Sequence, residues 1–285
     1  MSLTVKLVKA FTRNQAEGNP AGVVLDANSL TDEQMLEISA QLGFSESAFV
    51  QKSDQADFKV RFFTPTQEVD LCGHATIATF HALVEANVID VDGKDSVTII
   101  QESKAGLLSV TVYKDGLIVM TQPQPEFFQI IDDNDKVASL LALKSEDLDL
   151  AYPTQAVSTG SPKLMIPIKS REQLFAIQPQ LKEIAEYCKQ HGVKGFYPFT
   201  TDPIDHDSDF HARQFNPLAG INEDPITGVA GGALGAYAVH HHLSNKNTFV
   251  IEQGYIMNKP GKIYVEIDNE VRVGGYAVTF GTSNI

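Results

Sequence analysis

The sequence is short of cysteine and of positive charge. Only Cys72 and Cys188 occur among 285 residues, which excludes a disulfide framework and predicts a reducing, cytoplasmic setting. Lys and Arg number 22 against 36 Asp and Glu, so the net charge is -14. Such an acidic chain repels nucleic acid and anionic membranes, and we expect neither as a partner.

Long apolar runs are missing as well. No stretch approaches the roughly 20 apolar residues that a membrane-spanning helix needs. Residues 1–11 alternate as a strand would, without the basic start and apolar core of a signal peptide. The 43% hydrophobic and 20% charged content is typical of a globular protein, and 285 residues are enough for two domains of ordinary size.

What the sequence does contain is a pattern that occurs twice. Asp57-Phe58-x-x-Arg61-x-Phe63-x-Pro65 returns at residues 209–217, with five of nine positions identical. Ordinary residue usage gives a match at roughly one position in sixteen. The repeat therefore predicts the duplication of one structural unit.

Each copy is followed by an acidic loop, a glycine and a small, apolar run. These runs predict helices from Gly73 to about Asn87 and from Gly228 to about Leu243. A helix that begins at glycine leaves its first backbone amides approachable, so its N-terminus suits an anion such as a carboxylate. Two such termini facing one cleft predict a small anionic metabolite as the partner.

The remaining pattern predicts an α+β fold. Many short strands, one long helix per half and the nearly all-round apolar character of the first helix indicate two pseudo-symmetric domains, each a rolled, mostly antiparallel sheet around a central α-helix. The two prolines in Gln122–Pro125 mark a linker. The predicted domains are 1–121, completed by a C-terminal strand at 274–285, and 122–273.

Three further helices are predicted from local signals. Thr31 begins a capping-box pattern with apolar residues at helical spacing behind it, so a helix is expected from Thr31 to Leu42, ending at Gly43. Residues 137–143 and 181–191 are the other two. A hairpin is expected at residues 114–116.

Chemistry is expected where the two copies differ. After Gly43-Phe44 the first copy continues Ser45-Glu46-Ser47, whereas the second has Tyr197-Pro198-Phe199 after Gly195-Phe196. A carboxylate inside a predicted apolar strand at residues 45–50 is partly desolvated, which suits proton transfer. The alternative is that Glu46 is a strand residue whose side chain points to solvent.

Several separate motifs, all in one order, closely resemble the phenazine biosynthesis PhzF-like isomerases. They are Phe11-Thr12, Gly18-Asn19-Pro20-Ala21, Ser45-Glu46-Ser47, residues 70–76 (Asp-Leu-Cys-Gly-His-Ala-Thr), Glu223-Asp224-Pro225, Thr227-Gly228 and Gln253-Gly254. The resemblance implies the fold of diaminopimelate epimerase, an active site between two domains, a homodimer and no cofactor. The family's type reaction is a proton shift in trans-2,3-dihydro-3-hydroxyanthranilate.

The resemblance also implies residue roles. Glu46 matches the acid/base glutamate, and His74 and Asp224 match polar residues that contact the substrate. Gly73 and Gly228 match the positions that present backbone amides at the helix starts.

One position of that set departs from the family pattern. Val229 stands where the family usually has serine, and a valine side chain can neither donate nor accept a hydrogen bond. The departure bears on the identity of the substrate more than on the proton transfer. It also leaves a second function open, that of a protein which binds a small molecule but no longer catalyses a reaction.

The nearest rival is an epimerase or racemase of a related amino acid. Diaminopimelate epimerase and proline racemase place a cysteine at each helix start, where this sequence has His74 and Val229. For Cys72 two interpretations stay open. It is either a small buried residue of a tight loop or a thiolate favoured by the helix terminus.

No metal site is expected. The acidic loop has no clean ligand spacing and is interpreted as solvated, although it contains Asp205, His206, Asp207, Asp209 and His211. Four glycines of the second helix resemble a nucleotide loop, but they lack the strand and acidic residue of a Rossmann site, and close helix packing explains them equally well; they are Gly228, Gly231, Gly232 and Gly235.

Overall fold

A computed structural model describes residues 3–285, which divide into two compact units. The N-terminal unit comprises the described residues up to Thr121 together with Gly274–Ile285, and the C-terminal unit comprises Gln122–Val273. Across residues 3–285, every helix is too short or too polar to span a lipid bilayer.

The described chain contains nineteen strands. Those of the first part are β1 Thr4–Ala10, β2 Asn19–Val24, β3 Ser47–Gln51, β4 Phe58–Phe63, β5 Glu68–Val69, β6 Ser96–Ser103, β7 Gly106–Tyr113 and β8 Ile118–Gln122. Those that follow are β9 Glu126–Ile130, β10 Gln155–Ser158, β11 Lys163–Pro167, β12 Phe196–Thr200, β13 Phe210–Ala212, β14 Gln214–Asn216, β15 Ile221–Asp224, β16 Thr248–Gln253, β17 Gly261–Ile267, β18 Val271–Gly275 and β19 Ala277–Asn284.

The helices are fewer. They are α1 Asp32–Leu42, α2 Gly73–Glu85, α3 Asn134–Leu140, α4 Arg171–Ala176, α5 Leu181–His191 and α6 Gly228–His240, with 3-10 turns at Ser145–Asp147, Pro217–Ala219 and Tyr255–Met257.

Each unit contains the same ladder of strands. In the N-terminal unit the order is β19-β1-β2-β3-β4-β6-β7, with parallel pairs only at β2–β3 and β4–β6. In the C-terminal unit the order β9-β10-β11-β12-β13-β16-β17 has its parallel pairs at β11–β12 and β13–β16. The C-terminal strand β19 thus occupies in its unit the place that β9 occupies in the other.

A buried helix packs against each ladder. The helix α2 contacts β1, β2, β3 and β19, while α6 contacts β10, β11, β16 and β17. Ten of the thirteen residues of each helix are buried. A helix buried on nearly every side needs apolar and small residues all round, which is what both sequences supply.

The N-terminal sheet is covered on both faces. Val23, Ala48 and Phe62 pack on the α2 side, and their chain neighbours Val24, Phe49 and Phe63 pack on the α1 side. Successive side chains of a strand point to opposite faces, so these apolar pairs form two cores from one set of strands.

Local signals predicted α1 correctly. The Thr31 side chain accepts a hydrogen bond from the Gln34 backbone amide, and the Gln34 side chain accepts one from the Thr31 backbone amide. Gly43 ends the helix at φ 68°. The helix at Leu181–His191 is also confirmed, as is the hairpin at residues 114–116, where Gly116 has φ 88°.

Other helices and strands begin at residues that differ from the predicted ones. The helix expected at 137–143 is α3, which begins three residues earlier because the Asp133 side chain accepts from the Lys136 amide. The strand expected at 45–50 begins at Ser47, so Glu46 lies just before it, after a bend at residues 44–45. The short helix α4 had no prediction; Ser170 caps it.

Each unit contains a bidentate arginine–glutamate pair that joins two neighbouring segments of the chain. Arg61 binds Glu68 through Nε (2.7 Å) and Nη2 (3.0 Å). Arg213 binds Glu223 through the same atoms at 2.9 Å each, and its Nη1 also donates to the carbonyl oxygens of residues 174 and 177 at 3.0 and 3.1 Å. Planar forks of this kind fix both position and orientation.

Replacement of the two arginines by alanine is expected to have unequal effects. Arg213→Ala leaves half-buried Glu223 and two carbonyls without the buried guanidinium that binds them, so it should lower the free energy of unfolding by about 3 kcal/mol. Arg61→Ala should cost clearly less, because the Arg61 side chain is 17% exposed against 6% for Arg213, and Lys104 lies 3.3 Å from Glu68. Urea denaturation of both variants provides the comparison, and equal losses would contradict it.

Candidate functional site

The first helix start is built by a short buried segment. Cys72 is extended, with φ -139°, and Gly73 begins α2. The Cys72 carbonyl accepts both the backbone amide (3.0 Å) and the hydroxyl (2.8 Å) of Thr76. His74, the second residue of the helix, is therefore held at its N-terminus, where a partial positive charge favours anions.

Glu46 and His74 are neighbours at this helix start. The Glu46 Oε2 atom lies 3.5 Å from His74 Nε2, with the two side chains 17% and 5% exposed. Ser45 Oγ lies 3.5 Å from the same nitrogen. The alternative in which Glu46 points to bulk solvent is thus disfavoured: its carboxylate is largely enclosed beside a buried imidazole.

Cys72 also lies beside the imidazole. Its Sγ is 3.4 Å from His74 Nδ1 and 3.9 Å from Nε2. Cys72 is 6% exposed and is also the residue that precedes α2. Both interpretations of Cys72 therefore describe part of its setting: it is buried, and it lies at a helix terminus next to a titratable ring.

These three residues form a cluster with metal-ligand chemistry. Within residues 3–285, Glu46, Cys72 and His74 are the one group of three or more His, Cys, Asp or Glu side chains whose ligand atoms all lie within 4.8 Å of one another. In the acidic loop, Lys262 lies 3.1 Å from Asp205 and 2.6 Å from Asp207. That loop is thus occupied by ion pairs.

In the C-terminal unit, Asp224 ends β15 just before α6. The hydroxyl of Thr227, the residue before Gly228, donates to Asp224 Oδ2 at 2.5 Å. Within the described chain, neither Cys72 nor Thr227 uses its side chain to cap the helix that follows it. Their cap side chains thus leave the first-turn amides for other acceptors.

A glutamine fixes the backbone on both sides of this turn. Gln253 Nε2 donates to the Asp224 carbonyl oxygen (2.8 Å), and its Oε1 accepts from the Tyr197 hydroxyl (3.0 Å) and the Thr227 amide (3.3 Å). Burial raises the pKa of Tyr197 far above its usual range, with a further upward contribution from the charge of Asp224. Tyr197 therefore stays protonated and determines which way the Gln253 amide faces.

The start of α6 is held from a third direction. Gln122 Nε2 donates to the Gly228 carbonyl at 3.2 Å, and Thr159 Oγ1 donates to the Val229 carbonyl at 3.0 Å. A Cβ atom at Gly232 would lie 2.2 Å from Gln122 Oε1. This close approach agrees with the packing interpretation of the helix glycines, and Val229 itself is half-buried.

Several of these contacts were not predicted from the sequence. Ser45 and Cys72 beside His74, and Tyr197 and Thr227 around Asp224, were not assigned to the site. Only the Asp-x-x-Thr spacing of Asp224 and Thr227 was a readable local signal, since it is typical of a side-chain turn before a helix. The other partners meet through tertiary packing alone.

A family profile and a known protein of similar sequence agree on the family of this chain. The profile of the phenazine biosynthesis-like proteins (PhzC-PhzF) matches residues 8–283. The uncharacterized isomerase YfhB of Bacillus subtilis is 38% identical over 264 residues, 91% of this chain and 89% of that protein.

Solved structures agree with the sequence comparison. A phenazine biosynthesis protein of the PhzF family from Bacillus anthracis is similar with a TM-score of 0.91 at 32% identity, over 100% of this chain and 99% of that one. A probable proline racemase from Agrobacterium radiobacter, at 13% identity and a TM-score of 0.67 over 99% and 92% of the two chains, shares the fold. The predicted α+β fold class is confirmed.

The Thr227–Asp224 bond can be tested without a substrate. Thr227→Val keeps the side-chain shape but removes the hydroxyl, so it should lower the free energy of unfolding by about 1.5–3 kcal/mol, as for a lost hydrogen bond to a charged group. Thr227→Ser keeps the donor and should cost less than half as much. Chemical denaturation gives both values, and a valine variant as stable as the serine variant would show that the bond contributes little.

Proposed function

The chain belongs to the phenazine biosynthesis-like (PhzC-PhzF) family, and we propose that it is an isomerase that moves a proton on a small cyclic carboxylate, with Glu46 as its acid/base. The observation that supports this most is the enclosed carboxylate of Glu46, 3.5 Å from His74 at the start of a buried helix. A group that is partly shielded from water exchanges its proton with a bound molecule more selectively than a solvated group does.

The proton transfer needs no electron acceptor. The ionised Glu46 takes a proton from a carbon of the substrate, and the C–H electron pair shifts along the conjugated system. The protonated carboxyl group then returns the proton to a second carbon, so that product and substrate have the same composition. A ring with an acidic C–H next to a carboxylate or diene meets this requirement.

His74 would serve this transfer from beside the carboxylate. Its Nε2 atom faces both Glu46 and Ser45 at 3.5 Å, so the ring can hold the carboxylate in place or bind a substrate oxygen. The partial positive charge of the α2 terminus, where Gly73 lies, favours the negative charge that develops during proton removal.

Asp224, Gly228 and Val229 stay predicted substrate contacts. The hydrogen bond from Thr227 orients the Asp224 carboxylate, and a carboxylate can accept from an amine or hydroxyl of the substrate. Val229 would place an apolar surface where a serine hydroxyl is usual, which favours a substrate with one polar group fewer at that point. A homodimer is likewise proposed only from the family resemblance.

Exchange of substrate hydrogen with heavy water tests the assignment of the base. A panel of cyclic amino and hydroxy acids, including trans-2,3-dihydro-3-hydroxyanthranilate, is incubated with the protein in D₂O and followed by NMR. Glu46→Gln should slow deuterium incorporation by at least about 100-fold, because an amide cannot carry the proton. Glu37→Gln, which changes an exposed glutamate of α1, is the matched control and should leave the rate unchanged.

The outcomes separate three functions. Exchange that survives in Glu46→Gln would assign the base to another residue. A ligand that raises the melting temperature of the wild type without any exchange would instead identify a binding protein. Inversion of an amino-acid centre would identify an epimerase or racemase.

Replacement of Val229 by the serine usual in the family tests which substrate the site selects. Val229→Ser adds one donor and acceptor at the start of α6, so binding of an acid with a matching hydroxyl should tighten by about tenfold relative to its deoxy analogue, as expected for one hydrogen bond. Dissociation constants of both acids for both proteins measure this change. An unchanged ratio would mean that residue 229 does not contact the ligand.

A further inference from the structure

We propose that Glu46, Cys72 and His74 form a binding site for a soft or borderline divalent cation, Zn²⁺ or Cd²⁺, and that this cation inhibits the proton transfer. The site uses one oxygen, one sulfur and one nitrogen donor. Cation binding requires only the N-terminal unit, whereas the inhibition rests on the proposed role of Glu46.

The three donor atoms lie within 4.8 Å of one another, and one of their distances matches that of a zinc site. Zinc lies about 2.3 Å from a thiolate and about 2.0–2.2 Å from imidazole or carboxylate, so tetrahedral ligands are separated by roughly 3.3–3.6 Å. Glu46 Oε2 and His74 Nε2 are 3.5 Å apart, and Cys72 Sγ is 3.9 Å from the same nitrogen. Rotation of Cys72 about its Cα–Cβ bond moves the sulfur without moving the helix.

The charges of the three ligands suit a divalent cation. Cys72 directly precedes α2, and a bound zinc ion deprotonates the thiol that coordinates it. Two anionic ligands and a neutral imidazole then balance the charge of a divalent cation. Burial of Cys72 and His74, at 6% and 4% exposure, excludes competing water, while the 17% exposed carboxylate of Glu46 provides the entry side.

The donor set also predicts which cations bind. A mixed oxygen, nitrogen and sulfur set suits borderline and soft d¹⁰ ions, whereas Mg²⁺ and Ca²⁺ prefer oxygen ligands alone. Three protein ligands leave a fourth position for water or for an oxygen of a bound carboxylate. A cation held there takes the electron pair that Glu46 needs in order to accept a proton.

The chain provides its own control cysteine. Cys188 is 0% exposed in the core of the C-terminal unit, and burial raises the pKa of its thiol to about 11. It therefore stays protonated and should not bind the cation. Likewise half-buried His81, on the same helix as His74, lies 3.3 Å from Glu85 and controls for a histidine–carboxylate pair elsewhere in the N-terminal unit.

The experiment is a titration of the chelator-treated full chain with Cd²⁺, followed by its ultraviolet thiolate-to-metal charge-transfer band, and with Zn²⁺ by calorimetry. We expect one equivalent to bind and the band to appear in the wild type, in Cys188→Ala and in His81→Gln. Cys72→Ser should abolish the band, and Cys72→Ser and Glu46→Gln should each weaken Zn²⁺ binding by at least about tenfold, since loss of a supporting partner alone costs about that much. Excess Mg²⁺ should not compete.

Two results would overturn the proposal. One is a band that survives in Cys72→Ser or disappears in Cys188→Ala. The other is Zn²⁺ affinity that is unchanged in both Cys72→Ser and Glu46→Gln. Melting curves of the variants without metal establish that each is folded, and Glu46→Gln, at a partly exposed position, tests the site if Cys72→Ser does not fold.

The inhibitory effect is measured separately, as the rate of deuterium incorporation into the substrate in D₂O with and without Zn²⁺. Zn²⁺ should stop exchange in the wild type and in His81→Gln, and should have at least about tenfold less effect on Cys72→Ser, in proportion to its weaker binding. Metal binding without inhibition would contradict the inhibitory role. Absence of exchange in every variant, with metal binding intact, would count against the proposed isomerase function alone.

Discussion

The packing of α2 against its sheet determines where Glu46, Cys72 and His74 lie. Ile77 and Phe80 are each 0% exposed, and burial of an aliphatic or aromatic side chain contributes about 1.5–3 kcal/mol. A helix fixed in this way presents its first residues at one defined point. His74 lies there because it is the second residue of α2, and Glu46 reaches it because β3 runs beside the helix.

The C-terminal unit positions its polar residues by hydrogen bonds instead. Asp224 is oriented by Thr227 on its side chain and by Gln253 on its backbone, while protonated Tyr197 fixes the Gln253 amide. The two units have the same strand order and the same kind of arginine–glutamate pair. They differ in chemistry: a carboxylate, an imidazole and a thiol in one, an oriented carboxylate beside an apolar Val229 in the other.

Much of the fold could be predicted from the sequence because its signals are local or periodic. The capping box at Thr31, the stop at Gly43 and the apolar runs of α2 and α6 need no tertiary information. The repeated pattern at residues 57–65 and 209–217 predicted one architecture for both halves, and the strand orders agree with that expectation. The start of α3 was misplaced because Asp133, rather than the apolar spacing, sets it.

Less of the candidate site could be predicted from the sequence. Glu46 was selected because it differs from its counterpart Pro198, and His74 because of the family resemblance. Contacts such as Cys72 with His74 depend on side-chain directions at a helix start, which no spacing rule gives. That the two helix starts face one cleft stays a prediction of the repeat.

The central claim is that one enclosed carboxylate carries the proton from carbon to carbon. It is tested most directly by single-turnover conversion, in ordinary water, of the acid identified by exchange, labelled with deuterium at the carbon that loses its hydrogen. If Glu46 alone moves the proton while partly shielded from solvent, a measurable fraction of the deuterium appears at the new position in the product. A product with solvent hydrogen only, at the earliest times measured, would contradict a single shielded base.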